Sequence, residues 1–126
     1  MDKIYIEPTA STPEVIIDPE VGKVKITGNS YPSNSTEFYA PILEWFENTL
    51  NEEAIENLEV WFFFNYVNTS STKHVIKILE YLEPYYLAGF GCQVYWQYDD
   101  GDDNMQGIGD DLKNYVNIPF ELVKVE

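Results

Sequence analysis

The chain has 126 residues, 44% of them hydrophobic, with 10 Tyr, 7 Phe and 3 Trp, so a single packed domain over residues 1–126 is expected rather than a disordered segment. Its 22 acidic residues face 7 basic ones, all Lys, for a net charge of −15. No basic face can be assembled from them to neutralise nucleic-acid phosphates or to dock on an anionic membrane, and one Cys permits no internal disulfide.

The N-terminal stretch Met1-Asp2-Lys3-Ile4-Tyr5 lacks a basic segment followed by an apolar core, and no apolar run approaches the roughly 20 residues of a membrane span. A cytoplasmic, soluble domain is the expectation. Ile4 to Glu7 reads as a short strand, and residues 8–13 as a turn-rich connector. Glu14 to Ile17 and Lys23 to Thr27 read as a hairpin about Asp18-Pro19-Glu20-Val21-Gly22, with Val24 and Ile26 on the dry face. Gly28 to Ser33 reads as a loop.

Asn34 is placed as the cap of a helix, with Glu37 as its reciprocal partner. Phe38, Ile42, Trp45, Phe46 and Thr49 form its apolar stripe. Proline is tolerated only in a first helical turn, so Pro41 predicts that the regular helix begins near Tyr39 or Ala40. Leu58 to Tyr66 is apolar on both alternating faces, the pattern of a central strand covered on two sides. The next helix carries Val75, Ile78, Leu79 and Leu82 on one face, with Lys73, Lys77 and Glu80 on the other. Pro84 and Gly89 are expected to end it.

Gly91 to Tyr98 is a further strand, with Cys92, Val94, Trp96 and Tyr98 pointing one way. Strand, helix and strand over residues 58–98 suit a parallel crossover. An acidic loop from Asp99 to Asn104 follows, then a helix over residues 105–116 and a last strand from Pro119 to Lys124. The fold class is therefore α/β, a mixed β-sheet with about three helices.

The chemistry concentrates at Asn68-Thr69-Ser70-Ser71-Thr72-Lys73, where the apolar strand hands over to a helix N-terminus. Ser, Thr and Asn are favoured caps, and one of the hydroxyls is expected to cap the helix. A helix N-terminus also offers unpaired N–H groups and partial positive charge to a phosphate, so another hydroxyl could be a switch. Without Arg, the chain has only backbone amides and Lys73 to hold such a phosphate.

Enzymatic patterns are absent. Asp99-Asp100-Gly101-Asp102-Asp103 invites a divalent-metal or small-ligand reading, but the calcium-loop register fails at Met105 and Asp111. His74 is the sole His and stands outside any metal spacing or nucleophile elbow. No cofactor is expected. Cys92 reads as a buried small hydrophobe.

The chain resembles the SiaC family of regulatory phosphoproteins over nearly its whole length. The resemblance rests on Glu7-Pro8-Thr9 with Thr12-Pro13-Glu14-Val15, Asp18 and Gly22, and on Ile26-Thr27-Gly28-Asn29-Ser30-Tyr31-Pro32. It continues through Phe38-Tyr39-Ala40-Pro41, Asn68-Thr69-Ser70-Ser71 with Lys73, and Trp96-Gln97-Tyr98-Asp99 with Asp102, Met105 and Gly109. The resemblance implies a partner-switching protein with a fold similar to anti-sigma factor antagonist (STAS-like) domains. It implies reversible phosphorylation of Thr69 by a cognate serine/threonine kinase of the histidine-kinase-like ATPase type, and dephosphorylation by a PP2C-type phosphatase. It implies that the unphosphorylated form binds and activates an effector, a diguanylate cyclase, with Asn68, Ser70, Ser71 and Lys73 shaping the switch loop.

Overall fold

The structure, a computed structural model, describes residues 3–126; Met1 and Asp2 of the N-terminal segment read above lie outside the described residues. A six-stranded sheet runs in chain order: β1 (Ile4–Ile6), β2 (Glu14–Asp18), β3 (Lys23–Ser30), β4 (Asn57–Val67), β5 (Gly91–Asp99) and β6 (Phe120–Val125). β1, β2 and β3 pair antiparallel, while β3 to β6 are parallel. The mixed α/β class expected from the sequence is therefore the one found.

The first helix is one continuous rod with an inserted wide turn: α1 (Ser35–Glu44), a π-helical turn (Trp45–Thr49) and α2 (Leu50–Glu53). In the wide turn the Leu50 amide donates to the Trp45 carbonyl, so Trp45 and Leu50, both buried, share the core side. Asn34 caps α1 as expected, its Oδ1 accepting the Glu37 amide at 3.0 Å. The expected late start is wrong. The helix begins at Ser35 and carries Pro41 inside it, on the exposed side, where water can satisfy the carbonyl that the proline cannot. Tyr39, not Phe38, is the buried aromatic of the first turns.

α3 (Thr69–Leu87) likewise runs through Pro84 and ends beyond it, before Gly89 at φ +105°. α4 (Asp103–Tyr115) starts inside the expected acidic loop because Asp102 caps it, its Oδ1 accepting the Met105 amide at 3.0 Å.

The core lies between the helices and one sheet face: Val15, Ile17, Val24, Ile26, Val60 and Phe62 are fully buried there. Each such aliphatic or aromatic side chain contributes on the order of 1.5–3 kcal/mol when removed from water. The expectation that β4 is covered on both sides fails, since Glu59, Trp61 and Phe63 on its other face are only half-buried. That face is shielded by neighbouring strands rather than helices, with Trp61 stacked on Tyr95 at 4.0 Å.

β3 also runs three residues further than expected, through Gly28, Asn29 and Ser30. A bulge makes this possible. Gly28, at φ +119°, pairs with Phe64, and Asn29 with Tyr66, so Asn65 is the extra residue on β4. Beyond the bulge the alternation is reset, with Tyr66 exposed and Val67 returned to the core. The carboxyl ends of β3 and β4 thereby come together at the foot of α3. No helix among the described residues is long and apolar enough to cross a membrane.

Candidate functional site: the β4–α3 junction

β4 delivers its last core residue, Val67, and Asn68 turns the chain in an extended conformation with φ −85° and ψ 171°. The Asn68 amide donates to the Ser30 carbonyl at 3.0 Å, which ties the junction to the end of β3. The helix cap is Asn68, not one of the hydroxyls expected to do that work. Its Oδ1 accepts the Ser71 amide at 2.9 Å, the reach of an N-cap side chain to the third helical residue.

The hydroxyls are then sorted by environment. Ser71 is 0% exposed and its hydroxyl accepts from Ser30 at 2.8 Å. The Ser30 oxygen lies 2.6 Å from the Tyr39 hydroxyl. Because Ser30 spends its one proton on Ser71, the Tyr39 hydroxyl is the donor in that second bond. Burial pushes the Tyr39 phenol up, against a lowering by its serine partners, so it keeps the proton it donates. Ser70 is half-buried and donates to Asn68 Oδ1 at 3.2 Å. Thr72 is half-buried and donates to the Asn68 carbonyl at 3.0 Å. Thr69, the first residue of α3, is exposed, and none of these bonds uses its hydroxyl.

The amides of the first turn follow the same division. Ser71 N–H is taken by the Asn68 side chain and Thr72 N–H by the Asn68 carbonyl. Those of Thr69 and Ser70 have no helical partner. Lys73 is exposed one turn beyond Thr69 and makes no ion pair among the described residues. The expected group of Asn68, Thr69, Ser70, Ser71 and Lys73 is thus contiguous, but Ser71 belongs to the interior.

Sequence reasoning missed three neighbours. Tyr31 and Tyr66 are 43% and 49% exposed and meet edge to face at 5.7 Å. The Tyr31 amide donates to the Ser11 carbonyl at 2.8 Å, pinning the connector before β2 beside the site. The signal that could have found Tyr66 is Gly28, whose positive φ marks the bulge that turns the tyrosine outward. The third is His74, stacked on Tyr39 at 5.2 Å with an interplanar angle of 10°. Its Nδ1 is buried without a hydrogen-bond partner. Burial, with Lys77 nearby, lowers its pKa from 6.5. The residue as a whole is half-buried.

The acidic loop does not assemble as a metal centre. Asp102 is occupied in capping α4, and the Asp100 amide is bonded to the Val125 carbonyl at 2.9 Å. Among the described residues no group of three or more His, Cys, Asp or Glu side chains is placed to hold a metal ion. Cys92 is buried in the core, and burial pushes its thiol up to about 12.

The profile of the SiaC family regulatory phosphoproteins matches residues 6–125. An uncharacterized protein of Pseudomonas aeruginosa (strain UCBPP-PA14) is 30% identical over 122 residues, which cover 97% of this chain and 96% of that protein. The crystal structure of apo-SiaC from Pseudomonas aeruginosa superimposes with a TM-score of 0.89 at 30% identity, covering 98% of this chain and 99% of that one. Similar too is the SiaC chain in the crystal structure of the diguanylate cyclase SiaD in complex with its activator SiaC, also from Pseudomonas aeruginosa. There the TM-score is 0.90 at 29% identity, covering 97% of this chain and 99% of the matched chain.

Proposed function

The chain belongs to the SiaC family of regulatory phosphoproteins, and from that premise we propose that it is a non-enzymatic switch of the cytoplasm, set by phosphorylation of Thr69. A cognate serine/threonine kinase adds the phosphate and a PP2C-type phosphatase removes it. The bare form binds and activates an effector. A diguanylate cyclase is the effector class favoured by the likeness to a SiaC that activates SiaD.

The observation that carries this reading is the sorting of the hydroxyls. A kinase needs a hydroxyl it can reach without unfolding its substrate, and of the candidates only Thr69 is both exposed and uncommitted. Ser71 would have to leave the core and abandon Ser30. A phosphate on Thr69 brings roughly −1.5 to −2 charge to the first turn of α3. It meets the partnerless amides of Thr69 and Ser70 and the positive end of the helix dipole, with Lys73 one turn away. The fold tolerates the modification, while the surface beside Tyr31 and Tyr66 changes in charge and bulk. No arrangement at the acidic loop supports the metal-binding alternative.

Mass-spectrometric phosphosite mapping of protein from its native cells, with and without phosphatase treatment, tests the assignment. Phosphate is expected on Thr69; phosphate on Ser70 would move the site, and none across growth states would defeat the reading. In binding assays Thr69→Ala should hold the effector constitutively, while the enzymatically phosphorylated protein should hold it poorly. Equal binding by both would separate the loop from the docking surface.

A further inference from the structure

α3 packs closely on α1 along one flank, but along the other it stands off from α4. The gap is a groove of about 330 Å³ lined by Thr72, Ile76, Ile108, Asp111, Leu112 and Tyr115. Tyr115 also lines the next hollow along the two helices, about 210 Å³, where Leu79 and Val116 face Glu80 and Glu83. Two hydrogen bonds tie α3 to the end of α4 and the segment after it: Tyr115 Oη donates to Glu80 at 3.1 Å, and Asn117 Nδ2, just past α4, to Glu83 at 2.9 Å. The near end opens at Thr72.

We propose that this groove is a docking site for a cationic amphipathic helix of a partner protein. The floor is apolar, formed by Ile76, Ile108 and Leu112, as an i, i+3, i+7 stripe requires. Every charged residue lining either hollow is a carboxylate, Asp111, Glu80 or Glu83, in a chain of net charge −15. An apolar stripe flanked by Lys and Arg complements both features, whereas an acidic helix would be repelled. From Thr72 to Glu83 α3 advances roughly 16 Å, room for about three turns of an occupant. Thr72 follows Thr69 by three residues on the same helical face, so the groove opens beside the switch hydroxyl. The site itself does not depend on Thr69 being the modified residue.

The test uses synthetic helical peptides of about four turns titrated into the full chain at physiological salt. One carries a leucine stripe among lysines, one has glutamate for lysine, and one is a shuffled leucine–lysine peptide with no stripe. The striped lysine peptide should bind saturably and perturb the NMR signals of Ile76, Ile108, Leu112 and Tyr115. The other two should bind at least about tenfold more weakly. Ile108→Asp, checked for folding by circular dichroism, should abolish the binding. The triple charge reversal Glu80→Lys, Glu83→Lys, Asp111→Lys should transfer preference to the glutamate peptide. Equal binding of the shuffled peptide would reduce the effect to net charge and overturn the proposal. So would perturbations mapping elsewhere, or a concentration-dependent dimer of the chain itself that disappears in Ile108→Asp.

Discussion

Ser30 donates its hydroxyl proton to Ser71 at 2.8 Å inside the core, joining the last residue of β3 to the first turn of α3. Thr69, two residues before Ser71, stands in solvent. Replacing Ser71 by Ala leaves the Ser30 hydroxyl without its acceptor, an expected loss of about 1–3 kcal/mol in urea unfolding. Ser71→Asp buries a charge and should cost more. Thr69→Ala should change stability by no more than about 0.5 kcal/mol. If Thr69→Ala cost as much as Ser71→Ala, the division between a structural and a free hydroxyl would be wrong.

Asn68 accepts four bonds: its side chain takes the Ser71 amide and the Ser70 hydroxyl, and its carbonyl takes the amide and hydroxyl of Thr72. Asn68→Ala keeps the carbonyl bonds and loses the cap, which should destabilise by about 1 kcal/mol and speed amide exchange in the first turn of α3. Asn68→Asp keeps the acceptor and gains from the helix dipole, so its unfolding midpoint should match or slightly exceed the parent's. The same carboxylate would face a phosphate on Thr69, and the phosphorylated Asn68→Asp protein should lose that gain.

The order of strands and helices was legible because strand and helix periods are separable in this chain. Val24 and Ile26 alternate with lysines, and Val75, Ile78, Leu79 and Leu82 fall at helical spacing. The hydroxyl-rich segment proposed as the switch stands out in the sequence for the same reason, at a change of period. What sequence could not show is the meeting of Ser30, Tyr39 and Ser71, which come from three elements and are joined only by packing. A glycine inside a strand, Gly28, is a cue for a bulge, but nothing in the sequence places the extra residue at Asn65, and one extra residue inverts every later side chain and so exposes Tyr66. Pro41 and Pro84 misled because a helix held by tertiary burial absorbs a missing N–H on its exposed side. The apolar run of β4 overstated its cover: Trp61 and Phe63 find neighbours within the sheet instead of beneath a helix.

Several residues that carry the family resemblance meet around one side chain. Trp96 Nε1 donates to the Met105 carbonyl at 3.0 Å, and Asp102 holds the Met105 amide. Gly109 sits against the indole, where an added Cβ would lie 2.4 Å from Trp96 Cδ1. The ring is 1% exposed and packed among Phe62, Phe64 and Phe120, so it has nowhere to retreat. Gly109→Ala should therefore cost about 1–3 kcal/mol despite the better helix propensity of alanine. Gly107→Ala on the same helix meets no atom within 4 Å and should be neutral or stabilising. Thermal melts of the pair separate crowding from propensity; equal gains in both would mean that α4 does not press on Trp96.

His74 is expected to make the stability of α3 sensitive to acid. Its ring lies flat on Tyr39, and its Nδ1 is buried without a partner, so the folded state favours the neutral imidazole. Burial lowers its pKa from 6.5, and Lys77 on the next turn acts in the same direction. The unfolded chain therefore binds this proton more readily than the folded one, and stability rises with pH across the interval between the two pKa values. The contribution is complete above about 6.5, the unperturbed value, and is lost as pH falls through the lowered one. Urea midpoints measured between pH 8 and pH 5.5 should fall toward acid in the parent. His74→Phe keeps a ring on Tyr39 but cannot take up a proton, and its midpoint should change less over the same range. Identical slopes in the two proteins would show that protonation of this ring is not what the first turns of α1 and α3 respond to.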